Sequence, residues 1–311
     1  MVKLRKIAAI VVTAAILAVV YVNLDASKFL AVFRQLNWIW FAVSILIFVP
    51  IFMLRAWRLN LLFESKLGLS NAIRCSLAGN SLSLVLPSKG GELAKMFFLR
   101  RHVTDELPVC ASIVVYERVL DVAAIAVVFF AGLIFIPDQR PVFLISILCA
   151  GGLLVLVFLY FALHLAPGAK RWMERWPDWL KLPRKFIINS HETVREKVYG
   201  PHSTAIVLQS FALWMIHLGQ FYCFFQAVSY AGPASTITAY VPAAIIVGLI
   251  PITIAGIGTR DTAIILLFAP WSVREPLAFV ALLSHLRFIL PGLCGIWFAH
   301  DYIRGEKRDS K

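Results

Sequence analysis

The sequence predicts an all-α polytopic membrane protein, with about six full spans plus two re-entrant, broken helical elements. Three observations predict it. Of 311 residues, 60% are hydrophobic and 15% charged, with a mean hydropathy of +0.81, whereas a soluble domain is about 45–50% apolar and about 25% charged. The apolar residues fall into runs of roughly 20, the length that crosses a bilayer. Two further runs, one in each half of the chain, are cut by Pro and Gly beside charged residues.

In chain order, Met1–Lys6 is a short basic start to Ile7–Leu24. That run is longer than a signal-peptide core and no A-x-A site follows, so it is expected to be an uncleaved span. Trp38–Leu54 is the second span, opened by interfacial Trp38 and Trp40 and closed by Arg55 and Arg58. Asn71–Leu86 starts as a third and breaks at Pro87, Lys89, Gly90, Gly91 and Glu92. Pro removes a backbone donor and Gly frees the backbone, so the helix stops there. Bared backbone at membrane depth persists only where it is buried in protein or faces a water-filled cavity. A basic, partly apolar segment follows, Leu93–His102.

Val109–Ile136 is a long span bearing Glu117, Arg118 and Asp121, and Pro137–Pro141 turns the chain into Val142–Leu165. Residues 167–202 form the one sizeable polar region, which is basic. In it Ile187, His191, Val194 and Val198 share one helical face. Two readings fit: an amphipathic helix lying on the membrane, or a solvated loop. Thr204–Tyr230 spans again, and its Gln209, His217, Gln220 and Gln226 read as helix packing and interhelical hydrogen bonding. Ile237–Ile250 is short, meets Pro251 and gives way to Ile254-Ala-Gly-Ile-Gly-Thr-Arg-Asp261, then Thr262–Phe268. The last span, Pro276–His300, carries His285, also read as packing, and Arg287; a basic tail follows.

The two halves, about 38–136 and 204–301, correspond. A shift of 169 residues lays Glu92 on Asp261, Arg118 on Arg287 and Gly79 on Gly248. Each half holds an interrupted segment ending in an acid, with an Arg inside the next span, and paired interruptions of this kind point to a transporter's site. If both broken segments return to the side they entered from, most of the 30 Lys and Arg lie on the side of the two termini. If both cross, most lie opposite, so the positive-inside rule favours re-entry with both termini cytoplasmic. The halves then have opposite topology, an inverted repeat.

The net charge of +13 fits this cytoplasmic bias and attraction to anionic lipid, and no basic domain of soluble size argues for nucleic acid. The five Cys lie in apolar stretches without CxxC or His spacing, so buried thiols are expected, with neither metal nor cofactor. No Walker A motif, nucleophile elbow or spaced DxD pair is present, which argues against direct ATP use and against an enzyme.

At the broken segments the chain resembles the lysylphosphatidylglycerol synthase transmembrane family, a flippase-like domain. The Asn…Pro…Gly-Glu stretch is here Asn80, Pro87, Gly91 and Glu92, and the Glu-Arg-x-x-Asp motif is Glu117, Arg118 and Asp121. The late Pro…Gly-Gly-x-Gly-x-Arg-Glu motif is Pro251, Ala255, Gly256, Gly258, Arg260 and Asp261, with Ala for the first Gly and Asp for Glu. The resemblance covers essentially residues 1–311 as a single domain. It implies translocation of an anionic or headgroup-modified lipid across the cytoplasmic (inner) membrane, the cargo being a phospholipid, glycolipid or polyprenyl phosphate. The alternative is an integral-membrane enzyme, or an accessory partner of a lipid-modifying enzyme, acting on lipid-phosphate or lipid-linked sugar precursors. On the accessory reading the basic 167–202 loop is the docking face; a homo-oligomer is a further expectation.

Ionisable side chains inside a bilayer cost roughly 2.5–3.5 kcal/mol each and so face partners or water. The expected pairs are Glu92 with Arg118 and Asp261 with Arg287, with Glu117 and Asp121 competing for Arg118. Asn80, Lys89, Lys95 and Arg260 complete the expected lipid-binding set. The competing reading makes these fixed ion pairs that pin broken helices and touch no ligand.

Overall fold

The computed structural model describes residues 11–19, 22, 24–85, 90–103, 106–134, 136, 140–166, 168–175, 177, 181–250, 253 and 256–309. Of residues 85, 90, 92–94, 181–186 and 301–309 it describes the helix alone. The described chain is helical throughout, without strands. Residues 11–19 and 22 are helical, and residues 7–10, 20, 21 and 23 of the expected first span lie outside the described residues.

Thirteen helices follow: α1 (Ala26–Arg34), α2 (Trp38–Leu46), α3 (Phe48–Leu62), α4 (Leu69–Val85), α5 (Gly90–Arg100), α6 (Leu107–Leu133), α7 (Pro141–Leu165), α8 (Ala169–Glu174), α9 (Lys181–Tyr199), α10 (Ser203–Ala227), α11 (Ala234–Leu249), α12 (Thr259–Phe268) and α13 (Arg274–Asp309). Local chemistry sets several starts. The Asp25 and Asn37 side chains accept the first free backbone N–H groups of α1 and α2. Pro sits in the first turn of α6 and of α7, where its missing donor costs nothing.

Among the described residues, four helical stretches are long and apolar enough to cross a membrane: Trp38–Leu62 (α2 and α3 together), Pro141–Leu165, Ser203–Ala227 and Arg274–His300. α6 has 27 residues, enough to span, but Glu117, Arg118 and Asp121 interrupt its apolar character. The protein is a multi-pass membrane protein. On α7 the residues Leu148, Leu156 and Phe158 stand exposed, as lipid-facing side chains do.

The second span ends later than the sequence suggests. The helix does not close at Arg55 and Arg58 but runs on to Leu62, which carries Arg58 into the bundle, 1% exposed. The amphipathic stretch of the polar region is a helix, α9, and its apolar face docks on protein. His191 and Val194 are buried, and the Ser190 hydroxyl shares a 2.7 Å hydrogen bond with Ser112 of α6. Lys197 reaches Glu64 in the α3–α4 turn at 2.8 Å. The five cysteines are free thiols, but Cys294 is exposed and Cys149 half-buried, not buried as expected.

Both interrupted regions fold as hairpins. α4 and α5 lie side by side, with Gly91 so close to Gly79 that a Cβ there would overlap the backbone of α4. α11 and α12 do the same, and a Cβ on Gly256 would stand 2.5 Å from the Gly248 carbonyl oxygen. Each hairpin also packs on a helix far from it in the chain. The first hairpin packs on α13, where Ser81 donates to the Gly292 carbonyl at 2.5 Å and Gly295 meets Leu77. The second packs on α6, where Gly132 meets Thr238 and Ala239. Small residues let membrane helices approach this closely.

Candidate functional site

Along α6 the apolar residues divide between two cores. Tyr116 and Leu120 pack with Leu59, Leu62 and Cys75, while Ile125 and Phe129 pack with Phe143, Phe221 and Tyr240. Near the seam, three cations hold two carboxylates. Arg58 donates from Nη1 to Asp121 Oδ1 at 2.6 Å and to Ser210 at 2.9 Å, and from Nη2 to Glu117 Oε1 at 3.0 Å. Lys95 Nζ, on α5, donates to Glu117 Oε2 at 2.6 Å. Arg118 approaches Glu117 Oε1 at 3.2 Å and Asp121 Oδ2 at 3.1 Å, with 30% of its side chain still exposed. Coulombic attraction and hydrogen bonding together offset the cost of taking these charges out of water.

Against this cluster lies a cavity of about 190 Å³ lined by residues from both halves. Among the described residues, Arg55, Arg118, Arg260 and Arg287 converge on it together with the carboxylate of Asp121. Its apolar wall includes Ile125, Trp214, Ile245 and Phe288. A smaller pocket, about 20 Å³, shares Arg55 and Arg118 with it and adds Ser76, Asn80, Lys95 and Glu117. Each of the four guanidiniums around this void offers a planar fork whose geometry fits two oxygens of a phosphate or carboxylate.

Asp261, fully buried, does not pair with Arg287. Its Oδ2 accepts the Gly258 backbone N–H at 3.0 Å, fixing the start of α12, and contacts His285 Nε2 at 3.1 Å. His285 Nδ1 faces Arg260 Nη2 at 2.9 Å. A guanidinium only donates, so Nδ1 accepts and the imidazole is neutral, with its proton on Nε2 toward Asp261. Arg287 instead stacks over Phe221 at 4.9 Å and has no carboxylate partner among the described residues. The expected Asp261–Arg287 pair therefore gives way to Asp261–His285, because Asp261 is held back against its own helix start.

Of the other expected residues, Lys95, Arg118 and Asp121 meet in the cluster, and Arg260 lines the cavity. Asn80 borders the small pocket, its amide donating to the Ser76 carbonyl at 2.9 Å. Lys89 lies outside the described residues, as does the Glu92 side chain, so the expected Glu92–Arg118 pair does too; Arg118 is held by Glu117 and Asp121. Arg55 and Arg58 were not among the expected site residues, and their spacing of three inside a continuous apolar helix was the available signal. His285, read as packing, links Asp261 to Arg260. Among the described residues no group of His, Cys, Asp and Glu is arranged to hold a metal ion.

The family model of the lysylphosphatidylglycerol synthase TM region matches residues 6–295. No curated protein and no solved structure matches the chain. The match takes in both hairpins, the buried ion cluster and the arginine-lined cavity, and the chain belongs to the lysylphosphatidylglycerol synthase transmembrane family.

Proposed function

We propose that this protein translocates an anionic or headgroup-modified lipid across the cytoplasmic membrane. The lipid phosphate passes between the two broken hairpins while the acyl chains stay in the bilayer. One observation carries the reading: Arg55, Arg118, Arg260 and Arg287 converge on one cavity inside a multi-pass membrane bundle. Intramembrane arginines are expensive and are retained where they meet a partner or a substrate. The phosphate takes over part of the bonding that Glu117 and Asp121 supply to Arg118, so that it is held without being trapped. The proposed frame is six spans and two re-entrant hairpins with both termini cytoplasmic. The reciprocal packing of each hairpin on the other half's span supports an inverted repeat.

The test is reconstitution into liposomes with headgroup-labelled lipids, comparing wild type with Arg118→Ala and Arg287→Ala. Wild type is expected to translocate an anionic lipid, and both variants to lose most of that activity while remaining folded. Arg287→Ala is the cleaner variant, because it removes no ion pair from the cluster. A folded wild type that moves no anionic, aminoacylated or polyprenyl lipid refutes the reading. Chemical alteration of lipid in the same vesicles would instead support an enzyme acting on lipid phosphates.

A further inference from the structure

An apolar groove adjoins the arginine-lined cavity. It measures about 270 Å³ and is framed by α3, α4 and α13, with Phe52, Met53, Ile73, Leu77, Leu290 and Cys294 in its walls. Met53 and Cys294 are both exposed, so the groove opens outward. α3 and α13 belong to stretches long and apolar enough to cross a membrane, which puts hydrocarbon at its mouth. Among the described residues its lining has no charged, amide or hydroxyl side chain. Groove and cavity share helices. Phe52 stands three residues before Arg55 on α3, and Leu290 three residues after Arg287 on α13. Side chains three apart on a helix are neighbours, with about 5–6 Å between Cβ atoms. On α4, Leu77 of the groove directly follows Ser76 of the smaller polar pocket. At the junction on α13, Pro291 cannot donate to the Arg287 carbonyl four residues back, so that wall lacks one backbone hydrogen bond.

Two kinds of apolar body fit a groove at membrane depth, another helix or a hydrocarbon chain. Membrane helices associate through small residues that let backbones approach and through polar residues that bond across. The glycines on this part of α13, Gly292 and Gly295, are already used against α4, where they meet Leu84 and Leu77. What faces the groove is bulky (Phe, Met, Ile and Leu), and the flexible thioether of Met53 adapts to an irregular chain. The volume is several times the roughly 30 Å³ of one water molecule, enough for a run of methylenes. We propose that the groove seats one hydrocarbon chain of the lipid whose phosphate enters the arginine-lined cavity. The proposal rests on the translocation reading above and adds where the tail is held. The chain stays at hydrocarbon depth, lodged between α3 and α13, while the headgroup is inside the bundle. The cargo is thereby recognised as a lipid, by tail and phosphate together, and not as a free anion.

Cys294 is the reporter, in the purified full chain in detergent. Cys149→Ser leaves it as the accessible thiol, since Cys75, Cys110 and Cys223 are buried. Its alkylation by N-ethylmaleimide is expected to slow several-fold on adding phosphatidic acid. Diacylglycerol with the same tails, which lacks only the phosphate, should protect far less, and Arg287→Ala should remove most of the difference between the two lipids. No protection by phosphatidic acid overturns the proposal. Equal protection by both lipids in the otherwise wild-type chain also overturns it, since the chain is then held without the headgroup. Protection in lipid-free detergent that grows with protein concentration overturns it too, and gives the groove to a second copy.

Translocation is scored separately in vesicles. Met53→Trp and Val49→Trp fill the groove from exposed positions, and are expected to slow phosphatidic acid translocation several-fold while leaving thermal unfolding unchanged. Wild-type rates in both folded variants overturn the proposal and leave the transport reading standing. Phosphate-dependent protection of Cys294 without translocation keeps the proposed chain site and removes the transport reading.

Discussion

Replacing Arg58 by Met is the sharpest probe of what holds the bundle together. The side chain is 1% exposed, and Met keeps most of its volume, so the change deletes charge and donors with little cavity. Three hydrogen bonds are lost: to Asp121 at 2.6 Å, to Ser210 at 2.9 Å and to Glu117 at 3.0 Å. Glu117 and Asp121 stay buried, the first still held by Lys95 and Arg118, the second by Arg118. Removing one partner from a buried ion pair costs about 3–5 kcal/mol, because the other charge is left uncompensated. The remaining cations put Arg58→Met near the lower end, about 3 kcal/mol. The assay is equilibrium unfolding by SDS titration in mixed micelles, with Lys170→Met as the exposed comparison. Lys170 pairs with Glu192 at the surface, where solvent screening leaves a bridge with little effect on stability. Adding Asp121→Asn to Arg58→Met should recover part of the loss, because the stranded carboxylate is then gone. An Arg58→Met cost no larger than that of Lys170→Met refutes the claim that this cluster organises the fold.

Two further outcomes follow from packing and from a surface carboxylate. Gly295→Ala should lower stability by about 1–3 kcal/mol, since its Cβ would overlap the Leu77 carbonyl and force α13 away from α4; Gly152→Ala, which meets open space, should be neutral or slightly stabilising in the same unfolding assay. Glu64, in the turn after α3, has its carboxyl lowered to about 2 by its side-chain hydrogen bond with Glu196 and by those from Lys197 and Lys66. Its folded value lies below its unfolded value, so this stabilisation is full above about pH 4.5 and is lost as pH falls toward about 2. Glu64 is largely solvated, so the loss should be under about 1 kcal/mol and should shrink in salt and in Lys197→Met, as unfolding across that pH window measures.

Membrane class, helix content and the two breaks were legible because each is local. Apolar run length answers to bilayer thickness, and Pro and Gly act on their own backbone. The long apolar stretch Val109–Ile136 appears as the helix Leu107–Leu133, and Asn71–Leu86 as the helix Leu69–Val85. The site was legible in its residue types, since a charge in an apolar run needs a reason wherever it falls. Arg118, Asp121 and Lys95 were singled out on that ground, and the structure brings them together in one ion cluster.

What the sequence could not supply was who meets whom. Charge rules alone matched Asp261 to Arg287 by their common spacing in each half. The short reach of an Asp side chain at the third residue of α12 commits it to the Gly258 N–H and His285 instead. Arg55 and Arg58 read as the polar end of a span, and only the continuation of α3 to Leu62 carries them inward. The face of α9 looked suited to a lipid surface until α6 and α7 covered it. By itself the sequence determined a multi-pass helical protein with two broken, charge-bearing segments and a family membership. The tertiary structure alone decided that four arginines far apart in the chain share one cavity. Coulombic energy depends on distance in space, and that distance is set by how helices remote in the chain pack together.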